Sequence, residues 1–212
     1  MITVLDYGMG NLKSVVKAFE HLGASVHLTG KVHDVEKARC LVVPGVGAFD
    51  DCMETLQDKH LIPAIKKHIY MGKPYLGICL GHQILFENNE ESRKKIPGIG
   101  IFPGTVRKFD DELKVPHMGW NQIKIYKKKC PLLRGIDDGE WFYFVHSYYV
   151  EPIDSRIIAA RTDYGINFAS ILWDGARLFS VQFHPEKSQN IGLKVLKNFC
   201  DIYDHHKKEK KC

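Results

Sequence analysis

From Met1 to Phe86, apolar runs alternate with stretches whose apolar positions recur at helical spacing. Met1-Ile-Thr-Val-Leu-Asp6 reads as a strand, and Tyr7-Gly-Met-Gly-Asn11 as a turn into a helix over Leu12 to Leu22, with Gly23 as its stop. Ala24-Ser-Val-His-Leu28 is a second strand, followed by a polar helical stretch through Val35-Glu-Lys-Ala38. Cys40-Leu-Val-Val43 is a third, closed by Pro44-Gly-Val-Gly47. Helices are predicted from Phe49 to Leu56 and from Leu61 to Met71. A fourth strand, Lys73-Pro-Tyr-Leu76, runs into Gly77-Ile-Cys-Leu-Gly81, and His82-Gln-Ile-Leu-Phe86 reads as another helix start. Strand–helix alternation of this kind predicts a parallel, doubly wound α/β sheet, whose ligands sit at the carboxyl ends of the strands.

Beyond Pro97 the period shortens. Gly104–Phe109, Asn121–Tyr126, Trp141–Val145, Ile157–Ala160, Phe168–Leu172 and Leu178–Val181 read as strands joined by turns, which adds antiparallel strands to the sheet. A last helix is predicted from Ile191 to Tyr203, with Leu193, Leu196 and Phe199 at core spacing. No linker, repeat or low-complexity stretch divides the chain. The pattern predicts one domain over residues 1–204 and a charged tail over 205–212.

Composition changes this picture little. The 212 residues, 44% hydrophobic and 26% charged, suffice for one α/β domain with a substantial core. The net charge of +5 prompts a nucleic-acid reading, but the excess is local, in Lys127-Lys128-Lys129 and in the tail. Such runs are ordinarily solvated, and no nucleic-acid motif accompanies them. The six cysteines form no Cys-x-x-Cys pair and no close-spaced framework, which predicts reduced thiols in a cytoplasmic protein. No apolar run is long enough to span a membrane, and Cys79-x-x-His82 lacks the second pair that a zinc site needs. No metal or cofactor is expected.

The chemistry concentrates in two places. A strand, a Gly-x-Cys-x-Gly turn and a helix make the thiol counterpart of the Gly-x-Ser-x-Gly nucleophile elbow. The elbow lifts the Cys79 sulfur above the sheet at a helix start, where free N–H groups favour a thiolate. A cysteine nucleophile needs a base, and the base an orienting acceptor. Gln182-Phe-His-Pro-Glu186 follows the strand ending at Val181, so His184 is the candidate base and Glu186 its orienter. The Leu80 N–H, just after the nucleophile, is one candidate oxyanion donor. Pro44-Gly-Val-Gly47 is the source of a second. Taken singly, the cysteine has a second reading as a buried structural thiol and the histidine one as a turn residue. Gly8-Met-Gly10 is not a dinucleotide fingerprint, because Lys13 stands where its third glycine belongs.

Gly77-Ile-Cys-Leu-Gly-His-Gln83 with His184-Pro-Glu186 resembles the class I (triad) glutamine amidotransferases, which have a flavodoxin-like sheet. Within that family the chain is similar to the glutaminase subunits of imidazole glycerol phosphate synthase. The blocks that carry this are Asp6-Tyr-Gly-Met-Gly-Asn11, Pro44-Gly-Val-Gly-Ala-Phe49, Pro116-His-Met-Gly-Trp-Asn121, Tyr143-Phe-Val-His-Ser-Tyr148 and Phe183-His-Pro-Glu-Lys-Ser188, in family order up to about Tyr203. The resemblance implies that Cys79 attacks the glutamine side-chain amide, His184 shuttles protons and Glu186 holds it. It implies oxyanion stabilisation at Val46, Gly47 and Leu80, with a Gly45–Gly47 strand that reorients under a partner's control. It implies substrate contacts at Gln83, Glu91, Ser147 and Tyr148, and a partner interface at Asn11, Trp120, Tyr143 and Lys187. The implied partner is a (β/α)8-barrel cyclase of the HisF type, in a heterodimer. One departure stands out: His82 occupies the usual methionine position, where it reads as support for the elbow rather than a second base. A related pair feeding surface-sugar amination, a stand-alone cysteine hydrolase and a non-catalytic binding module are the alternatives.

Overall fold

The computed structural model describes residues 1–110 and 112–209, with side chains described up to residue 206. The first half follows the predicted alternation: β1 Ile2–Leu5, α1 Leu12–His21, β2 Val26–Thr29, α2 Val32–Lys37, β3 Leu41–Gly45, α3 Phe49–Asp58, α4 Leu61–Tyr70 and β4 Tyr75–Cys79. Then come α5 Leu80–Gln83, β5 Phe86–Asn89, β6 Phe102–Lys108, β7 His117–Gln122, β8 Lys124–Ile125, β9 Trp141–His146, β10 Tyr148–Pro152, β11 Ile158–Asp163, β12 Asn167–Trp173, β13 Leu178–Val181 and α6 Gln189–Glu209.

Among the described residues, eleven strands form one sheet. Its spine runs β2-β1-β3-β4-β13, all parallel, and then β12, β10 and β6 join antiparallel. The parallel part has the flavodoxin-like order, with the fifth place taken by β13 from near the end of the chain. Side chains alternate across the strands. Ile2, Val4, Val42, Leu76 and Ile78 pack against α1 and α6 on one face, where Val15, Phe19, Leu196 and Phe199 complete a core. Leu5, Leu41, Val43 and Tyr75 face α3 and α4 on the other, against Phe49, Met53, Leu56 and Ile65. Strands buried on both faces explain why these segments read as continuous apolar runs.

Three local expectations change. The helix predicted from His82 to Phe86 is a single turn over Leu80–Gln83, after which the chain extends again into β5. Asn121–Tyr126 is broken between β7 and β8, because β7 leaves the main sheet to pair with β9 as a two-stranded ribbon. Last, α6 does not stop at Tyr203. It continues to Glu209, and the described part of the predicted tail, residues 205–209, extends this helix, with His206 buried.

The elbow glycines are sterically required. A Cβ on Gly77 would overlap the Gly81 carbonyl, and one on Gly81 would overlap the Val43 carbonyl of the neighbouring strand. Gly81→Ala therefore forces backbone apart. A loss of roughly 1–3 kcal/mol is expected, as in overpacked cores. Gly72→Ala meets no atom within 4 Å and pays only for its positive φ, about 1 kcal/mol. Denaturant midpoints of the two variants check the ranking.

Candidate active site

Three adjacent parallel strands deliver the site. β4 lies between β3 and β13, with Gly45 opposite Cys79 and Val181 opposite Ile78. Their carboxyl ends therefore share one edge, which brings Val46 and Gly47, Cys79, and the Gln182–Glu186 segment together from three parts of the chain. Cys79 sits at φ 53°, ψ −106°, a conformation that L-residues rarely adopt. One turn of helix carries little macrodipole, so what the elbow offers is its first N–H groups, which have no acceptor within the turn.

His184 and Glu186 form a buried pair. The ring Nδ1 is 2.8 Å from Glu186 Oε1, both side chains are 2% exposed, and the His184 N–H donates to the Tyr143 carbonyl. The other ring nitrogen, Nε2, is buried with no oxygen or nitrogen partner among the described residues, and the neighbour that acts on the ring besides Glu186 is the Cys79 sulfur. Burial opposes a charge on this imidazole. The Cys79 sulfur, and then Glu186, outweigh it and hold His184 protonated well above the ordinary imidazole range.

Above the sulfur opens a cavity of about 250 Å³. Its wall includes Val46, Gly47, Cys79, Leu80, Gln83, Glu91, Ser147 and Tyr148, all named from the sequence, together with Pro116, Val145 and His146. It lies below the roughly 300–1,000 Å³ of pockets for drug-sized ligands, which suits one amino acid better than a nucleotide. Burial raises the Glu91 carboxyl, the Phe49 N–H opposes this, and Asp50 and Asp51 add to it. The Tyr7 hydroxyl donates to the Pro44 carbonyl at 3.0 Å and so pins the base of the Val46–Gly47 segment. Gly47 has φ 102°.

The other four named residues stand outside this cavity. Trp120 and Tyr143 are cross-strand neighbours on the β7–β9 ribbon, with ring centroids 6.2 Å apart. The Lys187 ammonium is 5.9 Å from the Tyr143 ring. Asn11 is exposed on the loop after β1, with no side-chain bond capping α1. Among the described residues no three His, Cys, Asp or Glu side chains converge as metal ligands would.

Residues 3–202 match the family model for glutamine amidotransferase class-I. The chain belongs to the class-I glutamine amidotransferases. It is 49% identical over 208 residues to imidazole glycerol phosphate synthase subunit HisH of Syntrophotalea carbinolica, covering 95% of this chain and 100% of that protein. The HisH protein of Moorella thermoacetica is 47% identical, with 96% of each chain covered. Among solved structures, a putative GMP synthase component from Thermoplasma acidophilum superposes with a TM-score of 0.74 at 17% identity, over 100% of this chain and 98% of that one. PurLQS from Thermotoga maritima gives 0.74 at 18%, over 94% and 97%. Both share the fold.

Several groups around this class-I amidotransferase site escaped the sequence reading. His146 Nδ1 lies 2.8 Å from the Tyr148 carbonyl, so it must donate. Its Nε2 then accepts from His117 Nδ1 at 3.0 Å, and His117 Nε2 accepts from the Asn121 amide at 3.2 Å. Gln182 touches the Cys79 sulfur. No spacing rule joins residues so far apart in sequence. His82 is fully buried beside the elbow, with Nδ1 2.7 Å from the Ser180 hydroxyl, and does not line the cavity.

Burial lowers His82 and His146 to about 3, and His117 to about 4. These rings are neutral in the fold and take a proton when unfolded below about pH 6.5. Their contribution is intact above that value and is lost progressively as pH falls toward the folded values. His184 is shifted upward, so its contribution is already fully present below about pH 6.5 and changes no further there. Denaturant midpoints should therefore drop between pH 6 and pH 5, by up to about 1.4 kcal/mol per imidazole per pH unit. A flat profile would contradict the neutral assignment.

Proposed function

We infer that this chain is the glutaminase subunit of an imidazole glycerol phosphate synthase, hydrolysing glutamine and passing the ammonia to a cyclase subunit. The observation that carries the reading is a strained elbow thiol facing an amino-acid-sized cavity beside a buried His184–Glu186 pair. The synthase relatives, nearly full-length at 47–49% identity, favour histidine biosynthesis over sugar amination. The glutaminase domain includes α6 as far as Glu209 rather than stopping at residue 204, and its free, buried thiols suit a reducing cytoplasm.

In this reading the Cys79 thiolate attacks the side-chain carboxamide carbon. A C–S bond forms and the carbonyl pair moves to oxygen, held by the Leu80 N–H and an amide of the Val46–Gly47 segment. The C–N bond then breaks while His184 gives its proton to nitrogen, and ammonia leaves a glutamyl thioester. Water attacks the thioester, His184 takes a proton, and glutamate departs as the C–S bond breaks. Glu186 fixes the ring throughout. Gln83 Nε2 already donates to the Tyr148 carbonyl and to Gln182, so only its oxygen is left for a ligand. With Glu91 that makes two acceptors for the substrate ammonium. Ser147 and Tyr148 close the wall around its carboxylate.

Ammonia released into water at neutral pH becomes ammonium, which is no nucleophile, so it has to pass directly to an acceptor site. The relatives are subunits of a synthase, and in this reading the acceptor site lies on a partner subunit, a (β/α)8-barrel cyclase. The outer face of the β7–β9 ribbon fits such a partner. Met118, Trp120 and Trp141 are 65%, 42% and 50% exposed there, next to Tyr143 and Lys187. At its inner end the ribbon reaches Val145 and His146 in the cavity wall.

Cys79→Ala should abolish glutamine-dependent synthesis by the complex while ammonium-dependent synthesis survives. Glutamine turnover persisting in this variant would refute the nucleophile assignment. Trp120→Ala should weaken cyclase binding by roughly tenfold or more, as truncated interface aromatics do, and isothermal titration against the cyclase measures it. Isolated-chain glutaminase that is fast and indifferent to the cyclase would instead favour a stand-alone hydrolase.

A further inference from the structure

Gln182 is fully buried immediately after β13. The β13–β4 register pairs Val181 with Ile78, so the next position sets Gln182 beside Cys79. Its backbone N–H donates to the Ser170 carbonyl at 2.9 Å, which anchors it to β12. Its side-chain Nε2 lies 3.8 Å from Cys79 Sγ.

The orientation of this amide follows from a backbone carbonyl. Tyr148 O can only accept, so the end of Gln83 that meets it at 2.9 Å is nitrogen. The same nitrogen lies 3.1 Å from Gln182, which must therefore present its oxygen. The opposite end of the Gln182 amide, a donor, then points at the sulfur. On another side of the sulfur stands the Val145 carbonyl at 3.9 Å, an acceptor that suits a thiol proton but not a thiolate.

From this geometry we propose that Gln182 is a further catalytic residue: its buried amide donates to the Cys79 sulfur and holds it as the thiolate between turnovers. The proposal rests on the reading of Cys79 as nucleophile. A buried anion needs donors, and His184 alone supplies one charge from one direction. When the C–S bond of the thioester breaks, the electron pair returns to sulfur, and the Gln182 N–H is in place to receive it. The contact to Gln83 makes the same amide a link between the nucleophile and the cavity wall.

The test is carboxamidomethylation of Cys79 by iodoacetamide on the full chain, followed by mass spectrometry of its peptide as a function of pH. Gln182→Met keeps the length and removes both hydrogen bonds. Labelling at pH 7 should slow roughly tenfold to a hundredfold, as for loss of a hydrogen bond to a charged group. The profile should move toward higher pH, and glutamine-dependent kcat in the complex should fall alongside. Gln182→Glu keeps the acceptor for Gln83 and makes the other end titratable. Its labelling should fall further behind the parent as pH rises and the carboxyl ionises. Profiles of both variants that overlay the parent's would overturn the proposal, as would Gln182→Glu alone tracking the parent if Gln182→Met does not fold. Labelling does not depend on glutamine or on a partner. A slowed label with no glutaminase in the parent complex would therefore refute glutamine as the substrate and leave the support of the Cys79 thiolate by Gln182 standing.

Discussion

The parallel pairing of β4 with β13 is the contact on which the site depends. Four residue pairs, from Tyr75 with Leu178 to Ile78 with Val181, set the height of one strand end against the other. Cys79 closes β4, and Gln182 and His184 follow within three residues of the end of β13. A slip of one residue would turn every side chain of β13 to the opposite face, burying His184 away from Cys79. Long-range sheet register is thus part of the geometry of the candidate site. It is secured by the double-sided core, since Phe179 and Val181 pack with Leu76 and Ile78 in one cluster and Leu178 with Tyr75 in the other.

The fold sorts its buried imidazoles by what faces them. His82 and His146 meet a hydroxyl, a carbonyl and another ring, and burial leaves them neutral. His184 meets a carboxylate and a sulfur and keeps its proton. Burial is similar in all three, so the difference comes from the charge of the neighbours. One scaffold thereby keeps two buried rings neutral and a third charged.

The β7–β9 ribbon shows a second economy of construction. Its inner face carries His117, His146, Phe142 and Phe144 into the core, while its outer face carries Met118, Trp120, Tyr143 and Trp141. Two-residue periodicity makes one short ribbon both a wall of the cavity and an apolar outer surface.

The strands and helices of the spine were legible because each is an apolar run or a 3.6-residue stripe bounded by glycine or proline. The elbow was legible because its two glycines have a local steric cause that the pentapeptide displays. The one-turn α5, the split of β7 from β8 and the extra length of α6 were not, since each is set by what the segment packs against rather than by its own pattern. In the same way the sequence by itself determined which groups could do the chemistry: a thiol on a strained turn, an imidazole two residues from a carboxylate. Only the tertiary structure decided that they meet, that Gln182 aims a donor at the sulfur, and that His117 and His146 join in one hydrogen-bonded line. His117 and His146 are 29 positions apart, and Gln182 and Cys79 are 103 apart. No local pattern encodes the sheet order that brings such residues together.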